Sequence, residues 1–190
     1  MKNKPILIFG DSFSSNWGKD SRKSWVDIIS KKFDVVNVAE AGVGEYKIFS
    51  QIKSLDLNNF SYIIGNHTSH SRVHSRQSIH NTVLHRNCDL LYLDSMHLKE
   101  ARWFFENVYD DDYFKFTYEL IRDKINSKLQ GYRRFIFDPF YSEYKDSVSF
   151  VNKWKFDSKN KNHFDTKTNI EIAELIENKI VYDKNSSRES

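Results

Sequence analysis

Ile6-Leu7-Ile8-Phe9-Gly10-Asp11-Ser12-Phe13 is the stretch that decides how the rest of the chain is read. An apolar run this short, stopped by Gly-Asp-Ser, reads as a buried strand whose last turn presents a hydroxyl. In open α/β sheets the carboxyl edge of the strands is where ligands bind, so Ser12 stands where a nucleophile would. Gly10 permits a sharp bend, and the polar Ser14-Ser15-Asn16 that follows suits a loop rather than more strand.

The pattern continues as strand, helix, strand, helix. Trp25, Ile28, Ile29 and Phe33 form one apolar stripe, which predicts a helix from about Ser24 to Lys32 with Ser21 or Asp20 as its cap. Val35–Ala39 reads as a second strand. After the Gly42-Val43-Gly44 turn a helix runs from about Tyr46 to Ser54, with Ile48, Phe49 and Ile52 inward. Phe60–Ile64 is a third strand ending at Gly65. This alternation predicts a parallel sheet flanked by helices.

From His67 to His97 the chain is rich in Ser, His, Asn and Arg and reads as a polar insertion or lid. Two helices follow, one marked by Ala101, Phe104, Phe105 and Val108. The other carries Phe114, Tyr118, Ile121, Ile125 and Leu129, is capped from Asp110-Asp111-Asp112, and is expected with the first on one sheet face. Arg134–Phe137 is a fourth strand ended by Asp138-Pro139, and Ile172, Leu175, Ile176 and Ile180 stripe a final helix. One domain over 1–184 with a disordered tail at 185–190 is the expected organisation.

Composition narrows the class. With 29 basic and 26 acidic residues interspersed, the net charge of +3 argues against a dedicated nucleic-acid surface. The single cysteine, Cys88, excludes an internal disulfide and any multi-cysteine zinc site, and fits a reducing compartment. No apolar stretch approaches membrane-spanning length and the first residues carry no cleavage-site pattern, so the expectation is a cytoplasmic protein.

Four further sets of residues could carry chemistry. His163 lies in a polar loop before the last helix, where an imidazole can meet a hydroxyl after the first strand at one sheet edge and take its proton. Gly42, Asn66 and His67 belong to the same edge, and with the N–H of Ser12 they could hydrogen-bond an oxyanion. His67, His70, His74 and His80 have spacings compatible with zinc if helical, but no carboxylate or cysteine matches them, and no metal or other cofactor is expected. Arg72, amid serines and histidines, is the residue expected to contact an anionic or sugar-like ligand.

Together, Phe9-Gly10-Asp11-Ser12, Asn37 with Gly42 five residues on, Gly65-Asn66-His67, and His163 before a terminal helix resemble the four blocks of the SGNH (GDSL-type) hydrolases. That resemblance implies a three-layer α/β/α sandwich with a flavodoxin-like sheet. It also implies a serine hydrolase cleaving a short acyl or O-acetyl ester on a small molecule or carbohydrate, with Ser12 as nucleophile and His163 as base. The oxyanion hole would draw on Ser12, Gly42 and Asn66 or His67, with Asp11 and Arg72 on the substrate side. Two positions depart from the family pattern. His67 occupies the asparagine position, with Asn66 one residue early, and Asn160 stands where an aspartate would orient the histidine. Either Asp157 reaches in from a shifted loop or serine and histidine act as a dyad. The alternative function is a catalytically silent module that holds a ligand or partner in the same cleft.

Overall fold

The computed structural model describes residues 4–15, 24–74, 99–151 and 164–186. Among them, β1 (Ile6–Phe9), β2 (Val35–Asn37), β3 (Tyr62–Asn66), β4 (Arg134–Asp138) and β5 (Val148–Ser149) form one parallel sheet in the order β2-β1-β3-β4-β5. This is the flavodoxin-like order, in which the chain first steps outward from β1 to β2 and then crosses to the other side at β3. The topological switch point therefore lies between the carboxyl ends of β1 and β3.

All four residues of β1 are buried, because this strand is covered on both faces. Ile6 and Ile8 join a cluster with Trp25, Val26 and Ile29 of α1 (Trp25–Ile29) and Ile172, Ile176 and Ile180 of α5 (Thr166–Ser186). Leu7 and Phe9 point the other way, into a cluster with Ile48 and Ile52 of α2 (Glu45–Ile52) and Ile125 and Leu129 of α4 (Asp111–Leu129). The two-residue strand period thus divides one apolar run between two helical layers, giving the α/β/α sandwich. Each buried Leu, Ile or Phe contributes about 1.5–3 kcal/mol relative to exposure. No helix among the described residues is long and apolar enough to cross a membrane.

Several local expectations change. The cap of α1 is Ser24 rather than Ser21 or Asp20: its Oγ accepts from Asp27 N at 3.1 Å while the Asp27 carboxylate accepts from Ser24 N at 3.0 Å, a reciprocal capping box. Strand β3 does not end at Gly65 but continues to Asn66, in register with Phe9 and Phe137 at its last paired positions. Gly65 is there for space. A Cβ at this position would lie 2.3 Å from the ring of Phe9, so the glycine lets an aromatic side chain of β1 lie across β3.

The second strand stops at Asn37, and β5 is an edge strand of two residues, too short to show periodicity. Helix α3 (Lys99–Asn107) stacks on the start of α4 through Phe104, whose ring meets Phe114 edge-on at 6.0 Å, so the sheet-covering partner of α4 is α2. Helix α5 reaches Ser186, which carries helix through the first two positions of the expected tail; residues 187–190 lie outside the described residues.

The Gly65 contact yields a direct test. Gly65→Ala forces the Phe9 ring from its seat and is expected to lower unfolding stability by about 1–3 kcal/mol, the usual cost of overpacking a core. A urea titration checks this, and Phe9→Leu in the same chain should recover part of the loss.

Candidate functional site

The site is assembled where β1 and β3 end. Gly10 leaves β1 with φ of 137°, and a Cβ there would sit 2.1 Å from Asn66 Oδ1, so both conformation and space require glycine. Gln51 of α2 clamps this residue from the side, donating from Nε2 to its carbonyl and accepting its N–H at Oε1, each at 2.9 Å.

Asp11 follows, and its carboxylate is fully buried. Oδ1 accepts from Phe13 N at 2.9 Å and Asn66 Nδ2 at 2.7 Å, and Oδ2 accepts from Thr68 Oγ1 at 2.8 Å and faces Arg72 Nη1 at 3.1 Å. A buried carboxylate is tolerable only when so satisfied. These bonds tie the loop after β1 to the loop after β3. Asp11 therefore has no oxygen turned toward a substrate, and its expected substrate-side place is corrected to that of a positioning residue.

The Ser12 loop is tightly held. Ser14 N and Ser15 N both donate to Asp11 O at 3.0 Å, Asn37 Nδ2 donates to Ser14 O at 2.9 Å, and Trp25 Nε1 donates to Phe13 O at 2.6 Å. Asn37 completes its role by accepting Ala39 N at 2.9 Å, which bends the chain out of β2 toward Gly42. Ser12 itself lies within this loop with only 4% of its surface exposed. Gly42 adopts φ of 77° in the following turn, beyond which Gly44 opens α2.

The two oxyanion candidates at the end of β3 are Asn66, its last residue, and His67, the next. Asn66 accepts from Ser14 Oγ and donates from Nδ2 to Asp11 and to the carbonyl of His67, at 2.7 and 2.8 Å. Both protons of its amide are thereby spent within the loops. His67 is fully buried, with Nδ1 donating to Glu45 Oε1 at 2.6 Å, while the other Glu45 oxygen accepts from Thr68 N at 3.1 Å. Its Nε2 has no hydrogen-bond partner among the described residues. The Asn66 amide is thus not presented as a donor to an oxyanion, which corrects that half of the expected pair, whereas His67 keeps one ring nitrogen outside these bonds.

The histidines do not converge. His67 faces Glu45, His70 bonds Tyr141 and, through Nε2 at 2.8 Å, Asp111, and the His74 ring meets Tyr46 at 4.7 Å. Residues 67–74 are not helical, so the spacing that would have aligned them does not apply. Among the described residues no group of three metal-ligating side chains is gathered. His163, Asp157, Asn160 and His80 lie outside the described residues.

Beside the loops a cavity of about 280 Å³ opens between the start of α2, residues 69–74 and α4. Glu45, Arg72, Val73, Tyr118 and Ile121 are among its walls, so it shares Glu45 and Arg72 with the loop network, whereas Ser12 is not in its lining. Arg72 lies on this wall, with its guanidinium 5.9 Å from the Phe140 ring centroid.

Behind the cavity stands a second buried group. Arg122 Nη1 donates to Tyr118 Oη at 2.8 Å and to Asp138 at 2.6 Å, and Nη2 reaches Asp146. Asp138, at the end of β4, accepts Phe140 N and Tyr141 N on its other oxygen, each at 2.9 Å. Burial opposes the charge on Arg122, but the contacts with Tyr118, Asp146 and Asp138 more than offset it and raise its pKa. Burial, with Glu45 and Asp138 nearby, raises that of Tyr118. Burial also works to raise Asp146, yet its bonds to Arg122 and Asn126 hold it below the usual carboxylate range.

Glu45, Thr68, Tyr118, Arg122 and Asp138 were not singled out by the sequence reading. Glu45 carries a signal, since an acid in the first turn of a helix suits the helix dipole, but that pattern is ordinarily a solvated one. Tyr118 belongs to the apolar stripe of its helix, but Arg122, one turn on, gives no sign of burial in the sequence.

No protein-family model matches the chain, and no curated protein matches it.

Two measurements test the networks. Asp11→Ala leaves Arg72 and Asn66 without their shared acceptor and is expected to cost about 3–5 kcal/mol in a denaturant titration, as for a broken buried ion pair. Asp146→Asn is expected to be less stable than wild type at neutral pH. The native carboxyl has a lowered pKa, so its contribution is present above the unfolded value and lost as pH falls through the folded one. The difference between the two proteins should therefore shrink below about pH 4.

Proposed function

We propose that this chain is a serine hydrolase that cleaves an ester, a short acyl or O-acetyl group on a small molecule or carbohydrate, with Ser12 as nucleophile. One observation carries the reading: Ser12 follows β1 beside the β1/β3 switch point, in a loop locked by a buried carboxylate. Open parallel sheets bind ligands at that point. The likeness of the Gly10-Asp11-Ser12, Gly42 and His163 positions to the SGNH hydrolase blocks supports the same assignment.

In this mechanism Ser12 Oγ attacks the carbonyl carbon while His163 takes its proton. The carbonyl oxygen becomes an oxyanion. Because the Asn66 amide is committed to Asp11 and His67, backbone N–H groups of Ser12 and Gly42 are the donors proposed for it. Collapse of the intermediate breaks the bond to the alcohol, which leaves with the proton from His163, and an acyl-enzyme remains on Ser12. Water then attacks the acyl carbon, His163 again takes a proton, and the acid is released with return of that proton to Ser12. Asp157 orients His163, or the pair works as a dyad.

A second reading has its own support. Asn66 is consumed internally and the cavity is not lined by Ser12, as would suit a silent module that binds a ligand and does not turn it over. Hydrolysis of p-nitrophenyl esters from acetyl to octanoyl, together with O-acetylated sugars, separates the two. The hydrolase reading expects wild-type turnover that falls by at least ~10³-fold in Ser12→Ala. Absence of wild-type turnover across the whole set would reject it in favour of the binding module, and turnover that survives Ser12→Ala would reject Ser12 as the nucleophile.

A further inference from the structure

The cavity between α2 and α4 has a chemistry of its own. Its polar side chains are largely committed elsewhere: Glu45 to His67 and Thr68, Arg72 to Asp11, His70 to Tyr141 and Asp111. Ser69 is similarly turned to Ser71 at 2.8 Å, and Thr117 donates to the Tyr113 carbonyl at 2.9 Å. The charges at its inner end are thus paired in the wall. Val73, Phe114, Tyr118 and Ile121 supply apolar surface.

Tyr118 is the exception. The residue is 3% exposed, and its hydroxyl oxygen accepts from Arg122 Nη1 at 2.8 Å. Among the described residues no acceptor takes the phenolic proton. Burial keeps that proton in place, since it holds the group above its ordinary pKa. A hydroxyl that accepts from a guanidinium is also polarised into a stronger donor. A buried donor without an acceptor is costly, and an oxygen of a bound molecule would relieve the cost.

Size narrows the occupant further. An apolar cavity of about 150 Å³ holds benzene, so one of about 280 Å³ admits a ring with a short substituent. We infer that this cavity is a binding site for a neutral, ring-sized apolar molecule or group bearing one oxygen acceptor, which receives the hydrogen bond of Tyr118. A charged ligand is disfavoured because the acid and the arginine in the wall are already paired with buried partners. The site stands apart from the chemistry of Ser12, so it is tested by binding alone.

Acetophenone, neutral and not hydrolysable, serves as the probe, with ethylbenzene as the isostere that lacks the acceptor. Titration of the full chain followed by backbone amide NMR should show saturable shifts at residues 69–74 and 114–121. Tyr118→Phe should weaken acetophenone about three- to tenfold while leaving ethylbenzene unchanged, the effect of one neutral hydrogen bond. Ile121→Trp, or Thr117→Trp if the first does not fold, should abolish binding of both by filling the space. Absence of saturation at millimolar acetophenone, equal affinity in wild type and Tyr118→Phe, or binding that survives the tryptophan, would each overturn the inference. Ser12→Ala should bind acetophenone as wild type does, which keeps this outcome separate from that of the ester assays.

Discussion

The carboxylate of Asp11 is the constraint on which the rest of the site depends. It is buried at the end of the central strand, where an unpaired charge would cost several kcal/mol, so the fold must bring donors to it. They come from Phe13 in its own loop, from Asn66 at the end of β3, and from Thr68 and Arg72 beyond it. Meeting that demand fixes the spacing of the two loops flanking the switch point, and Gly10 is the residue that lets Asn66 come close enough. Ser12, next in sequence, inherits its position from this arrangement.

The two faces of the sheet are built differently. Against α1 and α5 the sheet packs with aromatic and branched side chains, and Trp25 uses its one polar atom to hold the Ser12 loop. Against α2 and α4 the core turns polar toward the strand ends, where Glu45 and His67, and then Arg122 and Asp138, are buried. Each pair is hydrogen-bonded, while His67 Nε2 and Arg122 Nε have no partner among the described residues. Concentrating buried titratable groups at one end of a sheet is a mark of functional sites, though structural networks produce the same mark. The cavity lies on this second face, adjoining the Ser12 loop through Arg72.

Much of the architecture was legible in the sequence because hydrophobic period reports burial. The run Ile6–Phe9 and the stripes at Ile48 and Ile52 and at Ile172, Ile176 and Ile180 are local patterns, and local patterns suffice to name strands and helices. Gly65 was read as a turn because its reason for being glycine, the Phe9 ring lying across it, is a contact between strands. Asp11 was assigned to the substrate side for a similar reason: a polar residue beside a nucleophile looks available until its partners, more than fifty residues away, are seen. The histidine spacing from His67 to His74 could align the rings only on a helix, and the chain leaves β3 in an irregular loop. Glu45 and Arg122 carry no local sign of burial at all, since a charged residue on a helix is ordinarily solvated.

Whether this framework activates Ser12 is decided most directly by a covalent probe. A fluorophosphonate reacts with serines whose hydroxyl is paired with a base and needs no knowledge of the substrate. Peptide mapping by mass spectrometry of the labelled chain is predicted to find the adduct on Ser12, with labelling lost in His163→Ala. An unlabelled Ser12 in the folded wild-type chain, or labelling that persists at the same rate without His163, would contradict the account.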